Sequence, residues 1–475
     1  MSVAGQDRFA SDRRRLRRAI AFNVIGTVGK ALWPLFLAVA ARRHGTSVLG
    51  TFLVLQAAVE IAHGLVASGY VDALHRFTAR RPGDPLPAGF HALVRGSLGA
   101  VLATEATLVA CAVIAGLAAG LAHELVAAIA LMGIALVLQG GVAVALAPCT
   151  AMLRNEPEVA IRQVLAPALV NLLVIILPAP NLLSLATAFA VAYGTCALAA
   201  LVVARRQYGF SLVLGDPTPP PPYRRFAILQ GVNVGLWTSI YSLDTILLAL
   251  FVQPALVALY RAGSEVTRAL YLIRVQFSGA FAPLAARYLA DQELAPLARL
   301  LDSLATTITW IGVIAAGAIV LLREPLLALA LDTSPAETGF VVVLVAGQVL
   351  LCATSLTGNT LAMRGLASML VKNGALMLVV NTVLNVVLVP SIGLTGAALG
   401  TLGAMALSQG LQMYELRVAV GIRYAPRGPL IAIVLGIGLL LGVLPLEAHL
   451  AAGSYVAAML VAVRFLRPRL AADAA

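Results

Sequence analysis

Charged side chains are scarce in this chain of 475 residues, of which only 11% are Asp, Glu, Lys or Arg. A soluble domain carries roughly 25% of these residues. Hydrophobic residues make up 60% of the chain, and its mean hydropathy is +0.94. The composition therefore excludes a water-soluble globular fold and predicts an integral membrane protein.

Cysteine is also rare, with four residues that lie in apolar stretches and lack the spacing of a metal site. We expect buried thiols, no disulfide and no metal site. The sequence has neither a phosphate-binding loop nor a dinucleotide-binding fingerprint. We therefore expect no cofactor, no ATP hydrolysis and no catalytic residue, so the chain is not predicted to be an enzyme.

Hydrophobic runs recur from Ala19 to Phe465 with the length of about 20 residues that a helix needs to cross a bilayer. Helices are favoured over strands because each helix satisfies its own backbone hydrogen bonds in lipid. The sequence predicts an all-α, polytopic protein with about 14 transmembrane helices. Their predicted bounds are 19–41, 49–74, 96–119, 124–148, 162–178, 181–204, 226–251, 255–281, 303–322, 339–362, 368–390, 393–416, 428–445 and 449–466.

The basic residues indicate the orientation of these spans. With this assignment, 26 of the 33 Lys and Arg residues lie at the termini, in loops or at the adjoining span ends on one side, whereas the opposite loops hold only Arg42, Arg43 and Arg323. Short cytoplasmic loops are enriched in Lys and Arg, so both termini are predicted to be cytoplasmic. The net charge of +12 is thus explained by membrane orientation, and no nucleic-acid partner is expected.

A break at residues 205–225 contains four consecutive prolines, which favour an extended and solvated path. It predicts an N-terminal lobe at 1–204, a cytoplasmic linker at 205–225 and a C-terminal lobe at 226–416, followed by two helices and a tail at 417–475. In both halves a pair of arginines precedes a similar hydrophobic helix opening at similar spacing. Transporters are often built from repeats, so we expect two pseudo-symmetric six-helix lobes.

Ionisable side chains inside the predicted spans are expensive in lipid, so each should face a partner or a wet cavity. The set comprises Lys30, Glu60, Asp72, Glu105, Asp244, Glu265, Arg268 and Arg274, with Arg261 nearer to a span end. One hypothesis is a cavity lined by Lys30, Arg268 and Arg274 that attracts a phosphate or pyrophosphate group. The other is buried pairing, for example of Lys30 with Glu60 or of Asp244 with Arg268.

Local spacing predicts two further contacts. Arg261, Glu265 and Arg268 share one helix face and would form a self-neutralising ladder. Asp72 precedes Arg76 by four residues, which predicts a simple ion pair near the cytoplasmic side.

Several short patterns resemble the multidrug, oligosaccharidyl-lipid and polysaccharide exporter (MOP) superfamily, especially its bacterial flippases for O-antigen and capsule repeat units. The resemblance spans roughly residues 17–424, and its motifs are moderately specific through their order and spacing. They are Ala41–Gly45, Leu49–Phe52, Ser242–Leu248, Leu259–Ala262 and Pro390–Ala398.

The resemblance implies two six-helix lobes around a cavity that opens alternately to each side of the bacterial cytoplasmic (inner) membrane. The implied substrate is an oligosaccharide linked to undecaprenyl diphosphate, and the implied partners are membrane lipids and other polysaccharide assembly proteins. Related flippases place basic residues on the first, second and eighth spans. Lys30, Arg268 and Arg274 match this placement as diphosphate-binding residues, whereas the second span carries Glu60 instead.

The acidic residues leave other functions open. Asp244 lies where the family often has an acidic residue, and Asp244, Glu60 and Glu265 are candidates for the cavity or for coupling to H+ or Na+. A cation-coupled multidrug antiporter of the same superfamily would use Asp244, Glu60 and Glu105. A membrane glycosyltransferase or polymerase is less favoured because its long extracytoplasmic loop is missing, the longest predicted outer loop being 323–339.

Overall fold

The computed structural model describes Gly29 and residues 32–78, 89–151, 154–209, 219–331, 337–354 and 356–422. Within these ranges the regular structure is helical and contains no strand, so the predicted all-α fold is confirmed. The last two predicted spans, at 428–445 and 449–466, lie outside the described residues.

The helices up to residue 248 follow the first seven predicted spans. The second span consists of two consecutive helices, and the fifth contains a π-helical segment at Val159–Leu165. The bounds are α1 Leu32–His44, α2 Thr46–Leu65, α3 Ala67–Thr78, α4 Phe90–Ala118, α5 His123–Ala151, α6 Glu156–Ile176, α7 Leu182–Tyr208 and α8 Pro221–Leu248.

The helices from residue 254 onward follow the eighth to twelfth predicted spans. They are α9 Pro254–Ala290, α10 Leu294–Leu321, α11 Arg323–Leu331, α12 Gly339–Ala353, α13 Thr357–Met363 and α14 Ala367–Glu415. α14 covers two predicted spans and is interrupted at Ile392 and Gly393, just after Pro390. Gly393 has a φ of 55°, a conformation that glycine adopts without the steric penalty of a side chain.

Seven helices or consecutive helix pairs of the described residues are long and apolar enough to cross a membrane, or eight if α12 and α13 form one bent span. This number is below 14 for identifiable reasons. α14 holds two predicted spans, α1 is described only from Leu32, and α9 carries four charged residues between Arg261 and Arg274. α8 is not among the candidates either, and the last two predicted spans lie outside the described residues. The chain is a multi-pass membrane protein.

The helices form two compact units. Unit 1 comprises the described residues up to Ala249 together with Gln253–Ala258, and unit 2 comprises Leu250–Val252 and the described residues from Leu259 onward. Helix α8 thus packs within unit 1, although the sequence-based division assigns it to the lobe at 226–416. The sequence-based division into lobes rests on chain order and internal repetition, and it stays a prediction.

Small residues explain why α8 packs against α2 and α3. Gly231 and Gly235 form a G-x-x-x-G pair on α8, and an added Cβ at Gly69 of α3 would lie only 2.7 Å from the Gly231 Cα atom. An added Cβ at Gly235 would lie 2.5 Å from the Leu65 Cγ atom. Glycines at such a crossing let two backbones approach closely in lipid, where packing replaces the hydrophobic effect as the main attraction between helices.

Large side chains fill the remaining space within unit 1. Phe52 packs against Phe36 and Phe189 at centroid distances of 5.8 and 4.8 Å, and Trp33 stacks on Phe189 at 5.8 Å. The Tyr223 hydroxyl is hydrogen-bonded to Ser97 at 2.7 Å, which links α8 to α4. The cysteines at 149, 196 and 352 are buried as predicted, whereas Cys111 is exposed.

Candidate functional site

The predicted site residues fall into both units. Lys30 lies outside the described residues. Glu60 and Asp244 belong to unit 1, whereas Glu265, Arg268 and Arg274 belong to unit 2.

Glu60 is a half-buried carboxylate that joins α2 to α8. Ser242 of α8 donates a hydrogen bond from its Oγ atom to Glu60 Oε2 at 2.7 Å. Gln56, one turn earlier on α2, donates from Nε2 to Glu60 Oε1 at 3.3 Å. Both carboxylate oxygens therefore accept a hydrogen bond, as expected for a polar group in a mostly apolar setting.

Asp244 is more deeply buried than Glu60, with 3% of its surface exposed. It follows Ser242 by two positions, and residues at that spacing point in nearly opposite directions around a helix. Asp244 therefore does not share the Ser242 face that contacts Glu60.

The predicted ladder is present on α9. Glu265 Oε1 lies 3.1 Å from Arg261 Nη2 and 3.3 Å from Arg268 Nη1. The Arg261 side chain is 4% exposed and the Arg268 side chain 41% exposed. One carboxylate is thus shared by two guanidinium groups, of which Arg268 is the more accessible.

Arg274 differs from these residues because its guanidinium packs against an aromatic ring. The Arg274 Cζ atom lies 4.8 Å from the centroid of the Tyr271 ring, one turn earlier on α9. Within the described ranges, no carboxylate lies within 4 Å of its side chain. A cation–π contact orients a guanidinium while leaving its N–H groups able to bind an anion.

Asp72 and Arg76 contact other partners than the sequence predicted. Asp72 does not pair with Arg76: it accepts a hydrogen bond from Gln230 of α8 at 3.0 Å and lies 3.9 Å from His75. The Arg76 guanidinium instead lies 4.5 Å from the centroid of the Phe226 ring. Both side chains therefore contact α8 in place of the predicted pair.

A cavity of about 290 Å³ within unit 1 was not predicted. Its polar lining includes Gln139, Glu158, Arg162, Gln163 and Tyr193. Arg162 donates to Glu158 at 2.7 Å and lies in the π-helical segment, six residues inside α6, whereas the sequence prediction puts it at the cytoplasmic start of the fifth span. The start of α6 at Glu156-Pro157-Glu158 was a usable signal, because proline and acidic residues favour the first turn of a helix.

No protein-family model matches this sequence, and no curated protein matches it. Solved structures do match it. A structure of the lipid II flippase MurJ in an inward closed conformation has a TM-score of 0.70 at 10% identity, covering 95% of this chain and 99% of that chain. A MATE structure in the bent conformation has a TM-score of 0.58 at 13% identity, covering 90% and 97%.

A MOP-superfamily transporter from Pyrococcus furiosus has a TM-score of 0.59 at 15% identity, covering 89% of this chain and 96% of that chain. This chain has the fold of MOP-superfamily transporters. The resemblance that the sequence motifs predicted is thereby confirmed for the fold.

Within the MOP fold, each described site residue has a structural partner as well as a candidate function. Glu60 is held by two hydrogen bonds, Glu265 by two arginines and Arg274 by an aromatic ring. These contacts orient the side chains, and among the predicted site residues they leave Arg268 and Arg274 with accessible surface.

Proposed function

We propose that this protein flips an oligosaccharide linked to a lipid diphosphate from the cytoplasmic to the outer leaflet of the bacterial cytoplasmic membrane. The movement follows an alternating-access cycle, in which the polar head group passes through the protein while the lipid tail remains in the bilayer. Both termini are cytoplasmic in this proposal, and the substrate is a repeat unit for polysaccharide biosynthesis.

The observation that carries the proposal is the series of arginines along α9. At 1.5 Å per residue, Arg261, Arg268 and Arg274 lie about 10, 21 and 30 Å along the helix from Pro254. The hydrocarbon core of a bilayer is about 30 Å thick, so the series extends across most of it. Three cations at successive depths favour an anionic substrate over a cationic one.

The depth of each arginine suggests its role. With the predicted orientation, Pro254 lies at the outer face, so Arg274 lies near the level of the cytoplasmic head groups. We propose that Arg274 receives the diphosphate from the inner leaflet and that Arg268 binds it next, and we propose Lys30 as a further diphosphate-binding residue. Guanidinium groups suit this role because they bind phosphate through paired N–H groups.

The acidic residues support the competing antiporter function. A buried Asp244 and a half-buried Glu60 are typical of coupling groups in transporters, and MATE structures share this fold. A cation-coupled drug antiporter would need these carboxylates and would not need the arginines of α9.

Reconstitution in proteoliposomes tests the proposal. We would measure leaflet translocation of a lipid-diphosphate oligosaccharide with the intact protein and with Arg268→Gln, Arg274→Gln and Lys30→Ala. The arginine variants should each lower the rate by at least tenfold, because one charge-assisted phosphate contact is worth about 1.5–3 kcal/mol.

The matched control is Arg299→Gln, which removes an exposed arginine from the next helix and should leave the rate unchanged. Normal flipping by both folded α9 variants would refute the binding role of the arginines. Efflux of organic cations without any lipid translocation by the intact protein would establish the antiporter instead.

A further inference from the structure

A buried carboxyl group in unit 1 has no part in the diphosphate site. Glu105 lies near the middle of the 29-residue helix α4 and is 0% exposed. Neither of its carboxyl oxygens has a hydrogen-bond partner among the described residues. Most of α4 is exposed, and Glu105 lies on the narrow buried face that also includes Leu98 and Val101.

The nearest ionisable group is a histidine. His63 of α2 has its Nδ1 atom 3.8 Å from Glu105 Oε1, and this nitrogen has no hydrogen-bond partner within the described part of the chain. His63 keeps 8% of its surface exposed, whereas Glu105 keeps none. A proton therefore reaches Glu105 most directly through the imidazole of His63.

The other helices around the Glu105–His63 pair bring few charged groups close to it. On α5, an added Cβ at Gly140 would lie 2.8 Å from the Glu105 Cδ atom, so the carboxyl group occupies the space beside this glycine. No charged residue occurs on α5 after Glu124. Glu60 precedes His63 by one helical turn on α2, and Arg162 of α6 is close enough to interact electrostatically with His63.

An ionised carboxylate without a hydrogen bond is disfavoured in the middle of a membrane protein. Two arrangements avoid it: protonated Glu105 beside neutral His63, or carboxylate Glu105 beside protonated His63. In each arrangement the pair holds one titratable proton and has no net charge. Loss of that proton would leave a buried negative charge, so it requires a conformation in which water or a cation reaches Glu105.

We propose that Glu105 and His63 form a proton-binding site inside unit 1 that couples proton movement to transport. One proton binds when the O–H bond forms at Glu105, and the same proton leaves through His63 when that bond breaks in another conformation. The coupling to lipid translocation rests on the function proposed above, whereas proton binding by the pair does not.

Infrared difference spectroscopy tests the proton site without any substrate. The full-length protein in lipid should show the carbonyl band of a protonated carboxyl group in an apolar setting, and this band should disappear at alkaline pH. Glu105→Gln should abolish the band. Glu124→Gln, the same change at an exposed glutamate, should leave it intact.

Two further variants address folding and the histidine. Glu105→Asp keeps a carboxyl group and should shift the band, even if Glu105→Gln does not fold. His63→Gln should keep the band but slow its loss at alkaline pH by at least tenfold. An unchanged band in Glu105→Gln, or no titrating carboxyl band in the intact protein, would overturn the proton site.

A pH gradient across proteoliposomes then tests coupling. The gradient should accelerate translocation by the intact protein and by Glu124→Gln, and Glu105→Gln should run at the same rate with and without it. Acceleration of folded Glu105→Gln equal to that of the intact protein would overturn the coupling. If the intact protein moves no lipid at all, the proposed function fails, while the infrared result still decides the proton site.

Discussion

The crossing of α8 with α2 and α3 should depend on Gly231. In Gly231→Ala the new methyl group would overlap the backbone carbonyl oxygen of Leu65. A backbone atom cannot move aside by a change of rotamer, so α8 must shift away from α2. Two hydrogen bonds across the same contact, Gln230 to Asp72 at 3.0 Å and Ser242 to Glu60 at 2.7 Å, should lengthen as a result.

The expected loss of stability follows from three contributions. Overpacking costs about 1–3 kcal/mol. Hydrogen bonds between membrane helices average about 0.6 kcal/mol, so weakening two of them removes up to about 1.2 kcal/mol. Alanine gains about 0.8–1 kcal/mol over glycine in a helix interior. The net loss is about 1–3 kcal/mol, which lowers the folding equilibrium constant by about 5- to 150-fold.

Thiol labelling during heating measures this effect. Cys149 and Cys196 are buried in the core of unit 1, whereas Cys352 is buried in unit 2, so mass spectrometry of the labelled cysteines reports on each unit separately. Gly231→Ala should lower the midpoint for the two unit 1 cysteines. Gly99→Ala, where an added Cβ meets nothing within 4 Å, should not lower it. Equal midpoints for the two variants would refute the close-packing argument.

Two more stability predictions follow from burial. Phe52→Ala should destabilise unit 1 by about 3 kcal/mol, because it leaves a void among Phe36 and Phe189, and a normal labelling midpoint would contradict this. Arg261→Ala should destabilise unit 2 by about 3 kcal/mol, because it removes the buried partner of Glu265, whereas Arg268→Ala should cost less than 1 kcal/mol at its exposed position. Equal losses from the two arginine variants, measured at Cys352, would show that burial does not govern the ladder.

Contacts between neighbouring turns of one helix were predictable. The Arg261–Glu265–Arg268 ladder needs only helical spacing, and both of its ion pairs are present. The break after Pro390 was predicted because proline and glycine interrupt a helix locally. In contrast, the expected Asp72–Arg76 pair was wrong, since Gln230, 158 residues away, donates to Asp72 instead.

Some tertiary contacts have recognisable signals in the sequence. The Gly231-x-x-x-Gly235 pair is a recognisable helix-packing motif, and it indicates that α8 packs closely against another helix. The Glu105–His63 pair left a weaker signal, because hydropathy does not indicate which faces of α2 and α4 meet. Gly140 points to a close contact only when the structure shows that the Glu105 carboxyl group lies beside it.

The sequence by itself determined that this protein lies in a lipid bilayer and that its fold is all-helical. It also determined the position of the spans and the series of cations along α9. These features depend on the free energy of placing each segment in lipid and on spacing within one helix, both of which are local. Only the tertiary structure decided that α8 packs within unit 1, that Arg162 lines a cavity and that Glu105 is buried beside His63. Lipid contacts apolar helix faces equally well, so the choice of which faces pack together depends on shape and hydrogen bonding between distant segments.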